Sequence, residues 1–107
     1  MINELPPAVS RLLDAANAHN TDAFLAAFTA DGVIDDWGRE FSSPEAIRGW
    51  SDSEFIGVDV SLSVTEVDVT DHEAMILAEV GGSGYTGPSH FTFASRDGLV
   101  SRMTIRQ

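Results

Sequence analysis

The chain has 107 residues, 43% of them hydrophobic, and its 17 acidic and 6 basic side chains give a formal net charge of −11 at pH 7. Such a length suits one domain with a single modest core, so we expect residues 1–107 to form one domain. The negative field repels phosphate backbones and anionic lipid, and no cluster of Lys or Arg opposes it, which excludes nucleic acid and membrane surfaces as expected partners.

The chain lacks cysteine, a long apolar run and a signal-peptide pattern. It contains no cysteine, so disulfides and thiolate chemistry are excluded. No apolar run approaches the length needed to cross a bilayer, and the start MINELPP has neither the basic lead nor the apolar core of a signal peptide. We therefore expect a cytoplasmic protein.

Apolar residues near the N-terminus recur at helical spacing. Val9, Leu12, Leu13 and Ala16 fall at i, i+3, i+4 and i+7, the stripe of an amphipathic helix. This pattern predicts a first helix that follows Pro6-Pro7 and runs to about His19.

A second helix follows closely. Asn20 suits the left-handed residue at the exit of the first helix, and Thr21 is the predicted N-cap of the second. Phe24, Leu25 and Phe28 supply its buried side. Two helices thus precede the first strand.

The stretch FTADGVIDDWGREFSSPEAIRGW, residues 28–50, connects these helices to the rest of the chain. We predict a turn at Ala30-Asp31-Gly32, a strand from Val33 to Trp37 and a turn at Gly38-Arg39. Ser43-Pro44 then resembles a helix start, with the serine as cap and the proline in the first turn. This third helix buries Ile47 and Trp50, and its pattern fades between residues 51 and 54.

The second half of the chain changes to the period-two alternation of strands. Apolar residues occupy even positions from Val58 to Val64 and odd positions at Val67 and Val69, which predicts a β-bulge near Thr65 or Glu66. A predicted turn at Asp71-His72 leads into a strand Ala74–Val80 that is apolar on both faces. The Gly-rich connection Gly81–Pro88 follows; it carries Tyr85 and could gate a pocket. The last predicted elements are a strand from Ser89, a hairpin turn at Asp97-Gly98 and a strand Leu99–Arg106.

This order of elements predicts an α+β fold. Three helices, interrupted by a short strand pair, precede four longer antiparallel strands. Helices that close one mouth of a bent antiparallel sheet tend to enclose a pocket.

Two adjacent carboxylates in the central strand are the candidate chemical groups. Because side chains alternate across a strand, Ile34 and Asp36 share one face, while Val33, Asp35 and Trp37 share the other. If the face with Ile34 is the inner one, Asp36 is aimed into an apolar space. Its charged form is then destabilised, which suits a group that exchanges protons.

A structural interpretation of Asp36 stays open beside the functional one. In that interpretation Asp36 pairs with Arg39 or lies at the rim in water. Ser89 likewise is either a polar contact for a ligand or a serine that bonds a nearby carbonyl. The side chain of His90 is expected on the strand face opposite to that of Phe91. Neither His90 nor His19 is expected to act in catalysis.

Two motifs carry a resemblance to a known family. Through FTADGVIDDWGREFSSPEAIRGW and SHFTFASRDGLVSRMTI, the chain resembles the NTF2-like superfamily in its SnoaL-like and ketosteroid-isomerase-like branch. The resemblance implies a cone-shaped, cystatin-like α+β fold in which three N-terminal helices pack on a curved antiparallel sheet. It also implies an apolar pocket and a homodimer formed through the convex face of the sheet.

The resemblance assigns roles to individual positions. The general base of ketosteroid-isomerase-like proteins falls on Asp36, and the two acidic hydrogen-bond donors fall on Leu12 and Ser89. Leucine cannot donate a hydrogen bond, and a serine hydroxyl is a weak substitute for a protonated carboxylic acid. We therefore do not predict steroid isomerase activity.

The predicted pocket contains no cofactor. We expect no metal, because the three histidines are scattered and the aspartates lack calcium-loop spacing. The segment GGSGYTGPS also lacks the Lys of a phosphate loop. The candidate pocket-lining residues are Leu12, Phe28, Ile34, Trp50, Phe55, Ser89, Phe91 and Met103.

The leading functional prediction is a SnoaL-like protein that binds a small apolar, carbonyl-type molecule. Asp36 would serve as its acid/base group for isomerisation, cyclisation or dehydration. The alternative is a non-catalytic member of the same fold that binds a hydrophobic ligand or serves as a dimerisation module. A third hypothesis is a structural dimer with a filled interior.

Overall fold

The computed structural model describes residues 5–71 and 73–106, and the predicted turn residue His72 lies outside them. Within these residues the chain forms three helices and six strands. The helices are α1 (Pro7–Asn17), α2 (Thr21–Ala26) and α3 (Pro44–Glu54), and a short 3₁₀ turn follows at Ile56–Val58. The strands are β1 (Phe28–Asp36), β2 (Arg39–Phe41), β3 (Ser61–Val69), β4 (Glu73–Gly81), β5 (Gly87–Arg96) and β6 (Leu99–Arg106).

The junction between α1 and α2 differs from the prediction by one residue. His19, not Asn20, takes the left-handed conformation, with φ of 56°. Asn20 instead caps α2, because its Oδ1 accepts a hydrogen bond of 3.1 Å from the backbone N–H of Ala23. The predicted cap, Thr21, is therefore the first helical residue. An amide oxygen caps as well as a hydroxyl, so sequence alone did not separate the two assignments.

The start of α3 is confirmed. Ser43 Oγ accepts a hydrogen bond of 3.0 Å from the N–H of Ala46, and Pro44 occupies the first helical position. Ile47 and Trp50 are buried as predicted. The helix ends at Glu54, which places its last turn beside the inner face of the sheet.

The sheet has the strand order β2-β1-β6-β5-β4-β3. Within the described residues four pairings are antiparallel, but β1 pairs with β6 in parallel, so the expectation of a wholly antiparallel sheet was wrong. The N–H of Val100 donates to the carbonyl of Ala27 at 2.8 Å, which sets the start of β1 beside the start of β6. Side-chain alternation does not encode strand direction, and the parallel pair was therefore invisible in the sequence.

The first strand is longer than predicted. It begins at Phe28, which was assigned to the second helix, and the predicted turn at residues 30–32 is instead an irregularity between Phe28 and Val33 in the pairing with β6. The turn into β2 also lies one residue earlier than predicted, because Trp37 and Gly38 both have positive φ, 56° and 90°. The φ values match those of a two-residue hairpin turn.

The bend predicted in β3 is confirmed. Val64 pairs with Ala78 and Glu66 with Leu77, so Thr65 is the extra residue of a β-bulge. The predicted hairpin turn between β5 and β6 is also confirmed, since Asp97 and Gly98 have φ of 55° and 76°.

The two faces of the sheet differ in burial. Along β4 the side chains of Ala74, Ile76 and Ala78 are buried, whereas Met75 on the other face is 41% exposed. The buried face is the inner face, which packs against the helices; the other is the outer face. The outer face of β4 is therefore only partly covered by the residues that the structure describes.

Within residues 5–71 and 73–106 no helix is long and apolar enough to cross a membrane. The α+β class is confirmed. The cone shape and the cytoplasmic location stay predictions.

Candidate functional site

A cavity of about 340 Å³ lies between the end of α3 and the inner face of the sheet. The lining residues are Asp36, Trp37, Trp50, Ser53, Glu54, Phe55, Val58, Val60, Val80, Gly81, Gly84, Tyr85, Ser89, Phe91 and Ile105. Its volume falls within the range of small-molecule sites, and its wall combines many apolar and aromatic groups with a few polar ones.

Asp36 lies in the cavity wall at the end of β1. It shares its strand face with the fully buried Ile34, and its own side chain is 15% exposed. Its Oδ2 accepts a hydrogen bond of 3.0 Å from the indole Nε1 of Trp50 and a charge-assisted one of 2.5 Å from Nη2 of Arg39. The inward orientation and the pairing with Arg39, which were alternatives at the level of sequence, therefore occur together.

Arg39 links Asp36 to a second carboxylate of the cavity wall. Its two guanidinium nitrogens donate to the carboxylate of Glu54 at 2.7 and 3.1 Å. The hydrogen bonds that Arg39 donates to Glu54, and next those to Asp36, raise the pKa of Arg39 above its ordinary value. One cation thus serves two anions, and the group of Asp36, Arg39 and Glu54 has a net charge of −1.

Asp35 meets different surroundings on the outer face. Its carboxylate accepts hydrogen bonds from Arg106 at 3.0 and 3.3 Å, from Arg102 at 2.9 Å and from the N–H of Gly38 at 2.8 Å. These bonds lower the pKa of Asp35 to about 2, with Arg106 as the largest cause and Gly38 as the next. Asp35 is therefore a structural carboxylate.

Ser89 places a hydroxyl in the cavity wall. The residue is only 4% exposed, and it shares the inner face of β5 with Phe91. No hydrogen bond of its Oγ is present among residues 5–71 and 73–106. A hydroxyl in a cavity wall that the protein leaves unpaired is suited to a polar atom of a ligand.

The predicted lining residues divide into two groups. Trp50, Phe55, Ser89 and Phe91 lie in the cavity wall, and the rings of Trp50 and Phe55 stack with centroids 4.8 Å apart. The other four predicted residues do not line the cavity: Leu12, Phe28, Ile34 and Met103.

These four residues belong to the solid core instead, which corrects their assignment. All are 7% exposed or less. Phe28 packs edge-to-face on Phe24 with ring centroids 5.3 Å apart, and Ile34 pairs with Met103 across β1 and β6. Helices α1 and α2 pack over this part of the interior, and the cavity lies at the end near α3.

Ten of the fifteen lining residues were not among the predicted ones, and three of them carry aromatic or charged side chains: Trp37, Glu54 and Tyr85. Glu54 lies four residues after Trp50 in α3, so helical spacing could have placed both on one face. Trp37 was assigned to the opposite strand face, but it belongs to the turn. The Gly-rich connection carries Tyr85, whose hydroxyl donates to the carbonyl of Pro88 at 2.9 Å.

The described histidines lie away from the cavity. The Nε2 of His19 lies 2.8 Å from the carbonyl oxygen of Val60, and His90 is exposed on the outer face. Within residues 5–71 and 73–106 no group of three or more His, Asp or Glu side chains is arranged to hold a metal ion.

The chain is similar to known proteins in sequence and in fold. A family model described as SnoaL-like domain matches residues 9–103, whereas no curated protein shows a significant match. The chain is similar to the crystal structure of a proposed polyketide cyclase from Sinorhizobium meliloti, with 26% identity, a TM-score of 0.83 and 95% of each chain covered.

Two structures with bound small molecules share the fold at lower identity. One is a Mycobacterium tuberculosis protein in complex with estradiol-17beta-hemisuccinate, at 18% identity and a TM-score of 0.80, covering 97% of this chain and 95% of that one. The other is a protein with ketosteroid isomerase-like fold from Catenulispora acidiphila in complex with trimethylamine, at 21% identity and a TM-score of 0.81, covering 97% and 87%.

Proposed function

The chain belongs to the SnoaL-like domain family, and from this premise we propose that it binds a small apolar molecule in the cavity and acts on it by acid/base chemistry. The reaction class is isomerisation, cyclisation or dehydration of a carbonyl-type substrate. The observation that supports this proposal is the presence of a carboxylate, Asp36, and of the Ser89 hydroxyl, which has no hydrogen bond among the described residues, in the wall of one largely apolar cavity.

The chemistry requires two complementary groups. Asp36, held by Arg39 and Trp50, accepts a proton from the carbon next to the substrate carbonyl. The Ser89 hydroxyl donates a hydrogen bond to the carbonyl oxygen while negative charge develops there. Asp36 then returns the proton to a different atom, so the reaction consumes no other reagent.

The non-catalytic alternative has an observation in its favour. Both described hydrogen bonds to the Asp36 carboxylate come from structural partners, and Ser89 is a neutral donor. Leu12, at the position of the second family donor, lies in the core. A protein with this wall could bind an apolar ketone without transferring a proton.

Hydrogen exchange in D₂O separates the two functions. With 2-tetralone as the probe, NMR would follow loss of the proton next to the carbonyl, and tryptophan fluorescence would follow binding. The proposal expects exchange faster than in buffer, reduced about 100-fold or more in Asp36→Asn, as is typical for loss of a general base. Binding with exchange at the buffer rate would support the non-catalytic alternative.

A matched control removes a charge that does not line the cavity. Asp52 is exposed on α3, and Asp52→Asn should exchange at the wild-type rate. If Asp36→Asn exchanges as fast as Asp52→Asn, Asp36 is not the base. If Asp36→Asn is unfolded by circular dichroism, Asp36 is a structural ion-pair partner.

The proposed assembly is a homodimer through the outer face. Met75 is 41% exposed there, and Leu77 beside it is half-buried, so a second copy would cover apolar surface left open in one chain. Light scattering should give twice the 11.5 kDa of one chain. A value of one chain mass at micromolar concentration would contradict the dimer.

A further inference from the structure

The charges around the cavity are unbalanced. Asp36 and Glu54 both line it, and among the residues that the structure describes no Lys or Arg side chain does. Arg39, which bridges the two carboxylates from outside the lining, compensates one of them. The end of the cavity formed by β1 and α3 therefore has a net negative charge.

The wall of the cavity is also rich in aromatic rings. The five aromatic lining residues are Trp37, Trp50, Phe55, Tyr85 and Phe91. Trp37 and Tyr85 are 58% and 53% exposed, whereas the other three are buried. Ring faces carry negative potential, and several rings beside a carboxylate form the surroundings in which proteins bind ammonium groups.

The conformation of Trp37 gives a second reason to assign it a role. Its φ of 56° is left-handed, which is rare for a bulky residue, and the exposed ring gains little from packing. Asparagine or glycine would fill this turn position with less strain. Strained residues of this kind concentrate at ligand sites.

Ser89 supplies an independent polar contact in the cavity wall. The residue is 4% exposed, and its hydroxyl has no hydrogen bond within the described residues. A ligand in the cavity would thus meet the net negative charge of Asp36, Arg39 and Glu54, several aromatic rings and a hydroxyl on β5.

We propose that the ligand of this cavity carries a protonated or quaternary amine, held by the aromatic rings and by Asp36 and Glu54, and a polar atom that bonds Ser89. The inference rests on the proposed function in one respect, namely that the cavity is a ligand site. The charge of −11 on the chain would also raise the local concentration of such a cation.

An isosteric pair of probes tests the charge alone. The molecules 4-(trimethylammonio)phenol and 4-tert-butylphenol have the same shape, but the central atom of the substituent is a positively charged nitrogen in the first and a neutral carbon in the second. Both have a hydroxyl that can bond Ser89. Calorimetry in low salt should show the cation binding about tenfold more tightly, the scale expected of cation–π contact beside a carboxylate. The preference should shrink as salt is added.

Each outcome has one consequence. Equal or tighter binding of 4-tert-butylphenol would overturn the amine inference and leave the cavity as an apolar site. Failure of both probes to bind would overturn the amine inference together with the cavity as a ligand site. Tighter binding of the cation supports both.

Single substitutions identify the residues that cause the preference for the cationic probe. Glu54→Gln should reduce the ratio of the two affinities by about threefold or more, whereas Asp52→Asn, which removes the same charge from the same helix outside the cavity, should not. Trp37→Asn should weaken binding of the cation without loss of folding. A ratio unchanged in both Glu54→Gln and Trp37→Asn would overturn the assignment of these residues.

Discussion

Asp35 and Asp36 are neighbours in β1, yet the sheet separates them into different chemical settings. The Asp35 carboxylate accepts hydrogen bonds on both oxygens from two arginines and a backbone N–H. Both described bonds to Asp36 end on Oδ2, and the residue lines a cavity. The difference shows that strand alternation can place one of two identical side chains in an ion-pair network and the other in the wall of a cavity.

The largest expected effect on the free energy of unfolding comes from substitution of Asp35. Asp35→Ala removes the acceptor of Arg102, Arg106 and Gly38 at a site that is 7% exposed. We expect the free energy of unfolding to fall by about 2–3 kcal/mol, since charge-assisted bonds are lost but the arginines are partly solvated. Urea unfolding measures this change.

A carboxylate elsewhere in the sheet provides the control. Asp68 is exposed on β3, and Asp68→Ala should change the free energy of unfolding by no more than about 0.5 kcal/mol. Equal losses in the two variants would mean that the Asp35 network contributes nothing specific.

The pH dependence of stability tests the same network. The pKa of Asp35 is lowered from 3.8 to about 2 in the folded state, so folding is stabilised above about pH 4 and this contribution is lost as the pH falls toward 2. The lowered pKa corresponds to about 2 kcal/mol. The stability difference between the wild type and Asp35→Ala should therefore shrink over this range.

Unfolding curves recorded between pH 2 and 7 on both proteins would show the effect. The difference between the two proteins matters, because the other carboxylates titrate in both. Parallel stability profiles down to pH 2 would contradict the Asp35 network as the cause.

The outline of this arrangement could be predicted from the sequence. Alternation in β1 separates Asp35 from Asp36, the change of apolar parity in β3 locates the bulge at Thr65, and Ser43 with Pro44 marks the start of α3. These features depend on neighbours in the chain, and local patterns encode them directly.

The shape of the cavity could not be predicted in the same way. Leu12 and Met103 are inward-facing residues like Phe91, and only the packing of α1 and α2 decides that they fill the core while Phe91 borders open space. The partners of Asp35, Arg102 and Arg106, come from β6 through a parallel pairing that no local pattern specifies.

Substitution of Asp36 should cost less stability than substitution of Asp35. In Asp36→Asn an amide oxygen can still accept from Trp50 and Arg39, while Arg39 keeps its two bonds to Glu54. We expect a loss of less than about 1 kcal/mol in the free energy of unfolding. Thermal and urea unfolding would contradict this if the loss equalled that of Asp35→Ala.

The smallest expected effect on the free energy of unfolding comes from a substitution in the turn that follows the two carboxylates. Trp37→Asn leaves Asp35 and Asp36 in place but replaces a bulky left-handed residue, φ 56°, with one that adopts this conformation more readily. The ring is 58% exposed, so little packing is lost, and we expect a gain of about 0.5 kcal/mol in the free energy of unfolding. Urea unfolding on both proteins measures it.

The turn between β5 and β6 supplies the matched case. Asp97 has nearly the same φ, 55°, but aspartate already tolerates it, so Asp97→Asn should change the free energy of unfolding by no more than about 0.3 kcal/mol. A gain at Trp37 combined with weaker ligand binding would mean that the tryptophan is kept at a cost in stability for its position at the cavity. A loss of stability in Trp37→Asn would instead make the ring part of the packing that holds β1 and β2 together.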